Sequence, residues 1–311
     1  MPLAFRNAAA VLVAVAACAL GAPARGDGAG GGPAGAGEAS ATLIVCYPNA
    51  PGSTESARPV MQRLGEHLAA RGGTPCTAAY TNDAALARAW IDRSPPRFAI
   101  LSLELFLRWR EPLGLTPLAL SERDGVIQER FHLLVPAGAP HARLEDLADL
   151  DRPAVVRSPH VEEARFARAI LFGGRLDVRA QGEEPAAAWA LATDQPLRVL
   201  RRMIKGEPFQ DLPVDAVLVD DTTWSGLQQL KSFQGALRVL YTTPALPTAP
   251  VVAFPGAPPE ARRRITAALA GMASDATGKK LLETLQVTGF RPAATEGDAL
   301  APLVQRYEAA R

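Results

Sequence analysis

Cysteine is scarce in this sequence, with three residues in a chain of 311. That excludes a disulfide-dense scaffold and any four-cysteine zinc site. Aromatic residues make up only 6% of the chain. The four histidines, at 67, 132, 141 and 160, include no pair at the i, i+4 spacing that puts two metal ligands on one helix face. Neither sign of charge is in excess: 33 Lys+Arg stand against 32 Asp+Glu, a formal net charge of +1. A nucleic-acid binder normally carries a basic surplus on its phosphate-facing surface, so that class is set aside. The apolar run from Ala8 to Leu20 falls short of the roughly 20 residues needed to span a bilayer.

What the chain does have is apolar bulk. Hydrophobic residues at 48% and charged residues at 21% rule out a largely disordered chain and leave room for one large or two medium domains. The first forty residues read as an address rather than a fold. Arg6 is the only charge ahead of the apolar run, and small residues follow it, the pattern of a secretory signal. Two cleavage readings stand. Ala22-Pro23-Ala24 suits an ordinary signal peptidase and makes residues 1–24 the signal. Val15-Ala16-Ala17-Cys18 resembles a bacterial lipobox, in which residues 1–17 leave and Cys18 is acylated. Residues 25–41, rich in Gly, Ala and Pro, form a flexible linker, the tether that a lipid-anchored domain needs. Export to the periplasm or cell envelope is expected on both readings, with the membrane touched only through such an anchor. An oxidising compartment permits a Cys46–Cys76 disulfide; two buried free thiols are the alternative.

From Ala41 onward short apolar runs alternate with helical patterns. Strand-like segments at Leu43–Tyr47, Cys76–Tyr80 and Phe98–Leu101 are separated by helices over Ser53–Ala70 and Ala84–Arg93. This predicts a mainly parallel sheet flanked by helices. Thr116–Leu120 and Phe131–Val135 are expected to extend that sheet. The pattern restarts with a strand at Pro153–Val156 and a helix over Pro159–Phe172. A weak strand at Asp177–Ala180, helical segments at Pro185–Ala192 and Leu197–Lys205, and strands at Asp215–Val219 and Leu237–Tyr241 follow, with a helix at Thr223–Lys231. After Val251–Phe254 only helical patterns remain, at Pro259–Ala273 and Gly278–Leu285, and one strand cannot build a sheet. The last third must therefore complete an earlier unit. The expected architecture is an α/β, two-lobed clamshell: lobe one over 42–140, lobe two over 141–246, and a return to lobe one over 247–311. Two crossings between the lobes would form a hinge around a cleft.

Three stretches resemble the phosphate/phosphite/phosphonate solute-binding proteins of ABC importers, the PhnD-like branch of the type 2 periplasmic-binding fold. The Pro-rich run from Tyr241 to Val252 is similar to the family's return segment. The run from Pro258 through Asp275 and Gly278-Lys279 to Gly289-Phe290-Arg291-Pro292-Ala293 resembles its C-terminal helix pair and Gly-Phe-x-Pro ending. Leu144-Glu145-Asp146-Leu147 is similar to the outgoing crossing. The resemblance implies a receptor that captures a small, anionic, phosphate- or phosphonate-type ligand between its lobes and delivers it to an ABC permease in the inner membrane. It would act as a monomer, without cofactor or catalytic step.

The family's ligand positions fall on Val156-Arg157-Ser158-Pro159-His160, where Ser158 would cap a helix whose free N–H groups hold an anion and His160 would add a donor. The alternative is an ordinary capped helix with Glu162 and Glu163 on its solvent face. Tyr47 and Ser53, where the first strand gives way to the first helix, lie beyond a strand's carboxyl end, where open α/β sheets meet ligands. The resemblance makes Tyr47 a pocket aromatic, places a second family tyrosine near Phe106 and a family histidine near Thr193, and matches Asp220 to a contact for a ligand amine. Asp220 or Asp221 could equally cap the helix starting near Thr222, and Trp224 is more at home in a core than on a ligand. Gly271 and Gly278-Lys279 do not make a phosphate loop, since six residues separate the glycines where the motif needs four. No nucleophile elbow surrounds Ser53, Ser102 or Ser225. Two other classes remain: the same clamshell as sensory input to a signalling partner, and, less favoured, an exported enzyme.

Overall fold

The structure, a computed structural model, describes residues 42–293 and 299–310. The expectations for the signal, the linker and Cys18 lie outside the described residues.

The chain opens with β1 (Leu43–Cys46), an apolar strand buried on both faces, and α1 (Thr54–Gly72), stopped by the left-handed Gly73 at φ 62°. Then come β2 (Ala78–Thr81), α2 (Ala84–Arg93), β3 (Phe98–Leu101), α3 (Leu103–Leu113) and β4 (Thr116–Glu122). Helix α1 lies so close to the strand approach that a Cβ on Gly65 would stand 2.7 Å from the Cys76 carbonyl oxygen; only glycine fits there. A two-residue strand, β5 (Gln128–Glu129), leads into β6 (Phe131–Pro136), β7 (Ala154–Ser158) and α4 (Ala164–Phe166), which runs on as a π-helical turn over Ala167–Leu171. Strands β8 (Val178–Arg179), β9 (Ala188–Ala192) and β10 (Ala216–Asp220) follow, with helices α5 (Pro196–Ile204) and α6 (Asp221–Gln229), then β11 (Leu237–Thr242). The tail comprises β12 (Leu246–Pro247), β13 (Pro250–Ala253), α7 (Pro259–Ala270), α8 (Ala276–Thr284), β14 (Gly289–Pro292) and α9 (Ala301–Ala309).

Two six-stranded sheets result, in the orders β14-β4-β13-β3-β1-β2 and β11-β6-β10-β7-β9-β8. In the first, β2, β1 and β3 are parallel, while β13 runs antiparallel to both β3 and β4. The late strands β13 and β14 thus complete the sheet that the first strands began. The chain passes between lobes twice, and the two passages pair with each other as the antiparallel β5 and β12. Buried threonines flank this pair. Thr243 Oγ1 accepts the Phe131 amide at 3.0 Å, and Thr248 Oγ1 donates to the carbonyls of Ser121 and Ile127.

Four expectations fail. Phe131–Val135 lies in the second sheet, between β10 and β11, so the outgoing passage is at β5 and Leu144–Asp149 is a 3-10 turn after it. An apolar strand buried on both faces carries no mark of which sheet will take it. The alanines of Pro185–Ala192 predict a helix, yet Ala188–Ala192 is a strand between β7 and β8, where pairing overrides propensity. The helix expected from Pro159 begins only at Ala164. Cys46 and Cys76 are free thiols. The parallel register sets Leu43 beside Ala78 and Cys46 beside Thr81, so Cys76 trails Cys46 by about five residues along the strand. At about 3.3 Å per residue that is roughly 16 Å, well beyond the roughly 7 Å Cα limit of a disulfide.

Three apolar clusters fill the molecule. One backs sheet one against α1, α7 and α8; another backs sheet two against α5 and α6. The largest takes side chains from both lobes, including Phe106, Leu107, Phe131, Val161, Phe166 and Tyr307, so the lobes meet across a continuous apolar contact. Helix α9 bridges them. Its Tyr307 hydroxyl donates to Glu163 Oε2 at 2.6 Å, the Arg165 guanidinium lies 3.8 Å from the Tyr307 ring centroid, and Glu308 pairs with Arg110 at 3.4 Å.

Candidate ligand-binding cleft

Strands β10, β7 and β9 are neighbours, so their carboxyl ends bring Asp220, Ser158 and Thr193 side by side on lobe two. Ser158 Oγ accepts the His160 amide at 3.0 Å, and the Thr193 amide donates to the Ser158 carbonyl at 3.0 Å. Ser158 therefore shapes the loop ahead of α4 rather than capping the helix; the cap position belongs to Glu163. The His160 ring sits edge-on to Phe131, centroids 5.0 Å apart. Its Nε2 is sealed from solvent without a hydrogen-bond partner, 3.8 Å from Asp220 Oδ2. Burial lowers the His160 pKa, with the Asp220 charge opposing and Arg123 reinforcing.

Asp220 is at once a helix cap and a charge facing the gap. Oδ1 caps α6 by accepting the Thr223 amide at 2.7 Å, while Oδ2 faces Arg123 Nη1 at 3.5 Å and His160. Burial pushes this carboxyl up, but His160, Thr223 and Arg123 outweigh it and hold the Asp220 pKa below its ordinary value. Arg123 also pairs with Glu129 of the passage strand at 3.1 Å, and its Nε is buried and unpartnered. Glu129 is pushed up to about 7 by burial, against the pull of Arg123. Asp221 instead accepts the Arg130 amide at 2.8 Å and meets His132 Nε2 at 2.7 Å, pinning the passage to α6. Trp224 packs beside His132 and the lobe-two core.

On lobe one, Tyr47 follows β1, and burial raises its phenol well above the usual range while the nearby Arg123 charge opposes. Asn82 Nδ2, after β2, donates to the carbonyls of Ala50 and Gly52 at 2.8 and 3.0 Å and so holds the loop after Tyr47. From that loop Asn49, in the left-handed region at φ 58°, reaches across to Glu162 Oε1 at 2.5 Å. Ser53 is an exposed helix cap, its Oγ accepting the Ser56 amide at 3.1 Å. Phe106 is wholly buried in the shared core and presents nothing to a ligand.

The residue that does enter from α3 is Glu104, 3% exposed, whose two oxygens accept the Glu162 amide at 2.8 and 3.1 Å. A carboxylate of lobe one thus occupies the amides where an anion is expected to meet lobe two. Burial pushes Glu104 up to about 8, the amides of Glu162 and Glu163 pull it down, and the charges of those two residues push with burial. Sequence reasoning missed Glu104, Arg123, Glu129 and Asn49. The one legible signal was Glu104 itself, a lone acid within the run Leu103-Glu104-Leu105-Phe106-Leu107.

Residues 213–297 match the family model described as ABC transporter, phosphonate, periplasmic substrate-binding protein. That span holds the return passage and the C-terminal helix pair. No curated protein matches the chain. Among solved structures, XAC2383 from Xanthomonas citri bound to chloride ion aligns with a TM-score of 0.69 at 17% identity, over 86% of this chain and 98% of that one. PhnD1 from Prochlorococcus marinus in complex with methylphosphonate aligns with a TM-score of 0.61 at 9% identity, over 88% and 100% of the two chains. The binding-protein component of an ABC phosphonate transporter from Pseudomonas aeruginosa aligns at 0.59 and 14% identity, over 88% and 89%. The PhnD-like resemblance holds, and the fold is type 2 periplasmic-binding. Direct contacts between the lobes join Asn49 and Glu104 to Glu162, and Arg123 and His160 both face Asp220.

Proposed function

We propose that the protein is an exported solute receptor of an ABC importer that closes its lobes on a small phosphonate-type ligand and hands it to an inner-membrane permease. The observation that carries this reading is the Glu104 carboxyl group on the Glu162 amide. It supports the capacity of the interlobe gap to present a backbone donor to a ligand oxygen, as a phosphonate requires. Two buried donors without partners, Arg123 Nε and His160 Nε2, lie around the same gap. Each is a desolvated group that a bound oxyanion would satisfy. Tyr47, Ser158 and Thr193 would line the site, while Ser53 and Phe106, by their placement, would shape it only from behind.

The acids of the gap select among phosphonates. Asp220 and Glu129 crowd one cation, Arg123, so the other end of the ligand must not be anionic. An amine placed beside Asp220 fits that balance, so the favoured guest is an aminoalkylphosphonate. Because the lobes lock through Glu104, the incoming oxyanion displaces this side chain from the amides. The receptor works as a monomer, with no cofactor and no covalent step. Cys18 supplies a lipid anchor on the lipobox reading, which palmitate labelling and globomycin sensitivity of processing test directly.

Isothermal titration with phosphate, phosphite, methylphosphonate and aminoethylphosphonate tests the function. Aminoethylphosphonate is expected to bind at least tenfold more tightly than methylphosphonate. Folded protein that gives no heat with any of the four, in wild type and in Glu104→Gln alike, would exclude a phosphorus ligand.

A further inference from the structure

Away from the cleft, a surface cavity of about 360 Å³ opens on lobe two between α5 and the loop before β10. Its walls include Arg198 and Arg202 from one face of α5, and Phe209, Gln210 and Asp211 from the loop. Residues four apart on a helix stand one above the other, so two guanidinium groups share one wall.

Behind the loop lies Arg157 of β7, only 4% exposed. Nη1 donates to Gln210 Oε1 at 2.8 Å and Nη2 to the Phe209 carbonyl at 3.2 Å, while Nε is buried without a partner. None of its described partners is a carboxylate. An arginine stays charged at any physiological pH, and a buried charge without a counter-charge is among the costliest features a fold can carry. The neighbouring cations do not relieve it. Arg198 donates to Gln195 Oε1 at 3.0 Å, a neutral group, and Arg202 meets Glu207 at 3.1 Å. Arg198 and Arg202 share the cavity wall with Asp211, Glu207 pairs with Arg202, and Asp194 accepts from the lining Gln195 at 3.3 Å, while Arg157 behind the loop meets no described carboxylate.

The aromatic component is equally specific. The guanidinium carbons of Arg157 and Arg198 lie 5.2 and 5.8 Å from the Phe209 ring centroid, and these contacts hold the ring, 6% exposed, in the lobe-two core beneath the cavity wall. The loop that carries it turns through Gln210 and Asp211, both in the left-handed region at φ 52° and 61°. Non-glycine residues hold that conformation only where the surroundings impose it, and the Arg157–Gln210 bond is such a constraint.

We propose that this cavity is a second binding site, separate from the interlobe cleft, for a phosphorylated small organic molecule whose phosphate meets Arg198 and Arg202 and whose apolar part lies against Pro208 and the loop that carries Phe209. Paired arginines match the several oxygens of a phosphate, and the volume exceeds that of a bare ion and lies in the range of small-molecule pockets.

Phenyl phosphate is the probe, titrated calorimetrically into the purified protein. Saturable one-to-one binding is expected, at least fivefold tighter than inorganic phosphate at the same site. Arg198→Ala, an exposed change that leaves the core intact, should weaken it at least tenfold, as should Arg202→Ala. Tyr47→Ala, in the cleft, should leave it within twofold. No saturable binding overturns the proposal. So does binding that survives both arginine changes but is lost with Tyr47→Ala, and so does inorganic phosphate binding as tightly as phenyl phosphate. Because the readouts lie on different residues, failure here leaves the cleft assignment standing, and the converse also holds.

Discussion

The carboxylate of Glu104 in lobe one accepts the backbone amide of Glu162 in lobe two, at 2.8 and 3.1 Å, and is almost sealed from water. This contact joins the two lobes. It also has a pH signature. Folding raises the Glu104 pKa to about 8, so the folded state holds a proton that the unfolded chain, titrating near 4.5, has released. Stability from this group is complete below about pH 4.5 and is lost as pH rises through 8. Glu129, raised to about 7, acts with the same sign over a narrower window.

The first prediction follows from that sign. Urea unfolding at pH 5, 6.5 and 8 should show wild type losing a few kcal/mol across the range. The ceiling is about 1.4 kcal/mol for each tenfold difference in proton affinity between the folded and unfolded states. Glu104→Gln should flatten most of this slope and be the more stable of the two at pH 8. A wild-type curve that is flat or rises between pH 5 and 8 contradicts the assignment of a proton to buried Glu104.

Asp220 divides its oxygens between two tasks, and substitution can separate them. Asparagine also caps helices, so Asp220→Asn should keep the Thr223 contact and cost under about 1 kcal/mol, whereas Asp220→Ala should cost about 1–2 kcal/mol. Both remove the charge facing Arg123 and His160. Both should therefore weaken aminoethylphosphonate binding roughly tenfold or more while changing methylphosphonate binding little. Chemical denaturation and calorimetry on the same preparations read the two effects. Equal loss for both ligands would mean that Asp220 does not meet the amine.

Much of the fold is legible in the sequence, and the failures have physical causes. The return of the chain to its first sheet can be read because Val251–Phe254 is the one apolar strand pattern of the last third; the short β14 (Gly289–Pro292), which joins the same sheet, carries no such pattern. The location of Phe131–Pro136 cannot, because burial on both faces makes a strand equally at home in either sheet. Strand ends are readable: Tyr47, Ser158 and Asp220 stand at or just past the ends of β1, β7 and β10. Resemblance places Phe106 there too, yet on α3 it faces the shared core and Glu104, two residues earlier, faces the opposite lobe. A two-residue step along a helix turns the side chain by about 200°, which an alignment of aromatic rings does not register. The sequence points to a helix from Pro159; it starts instead at Ala164, after a loop in which Ser158 Oγ accepts the His160 amide.

Helix α9 should govern how easily the cleft opens. Tyr307 donates to Glu163 and lies under Arg165, so one residue on the final helix ties to the segment whose amide meets Glu104. Tyr307→Phe leaves Glu163 without that donor and should cost about 1–2 kcal/mol, while keeping the ring beneath Arg165. Small-angle scattering should then report a larger radius of gyration for the ligand-free variant, restored to the wild-type value by a cleft ligand. An unchanged radius, with stability lowered as expected, would make α9 a strut within the fold rather than a restraint on opening.

The two cysteines among the described residues give the most direct check on register. The parallel pairing of β1 with β2 separates Cys46 from Cys76 along the strand, and both are free. Burial pushes both thiols up, Cys76 to about 11 and the fully buried Cys46 further still. Thiolate is the reactive form, so both should react slowly with a thiol-specific disulfide reagent at pH 8 in native protein, Cys46 the slower, and both should react at once in denaturant. Digestion without reductant should yield the Cys46 and Cys76 peptides unlinked, even from protein recovered from an oxidising compartment. A linked pair would require β2 to slide by about five residues against β1, which would move Ala78–Thr81 out of the sheet and carry Asn82 away from the loop that positions Tyr47.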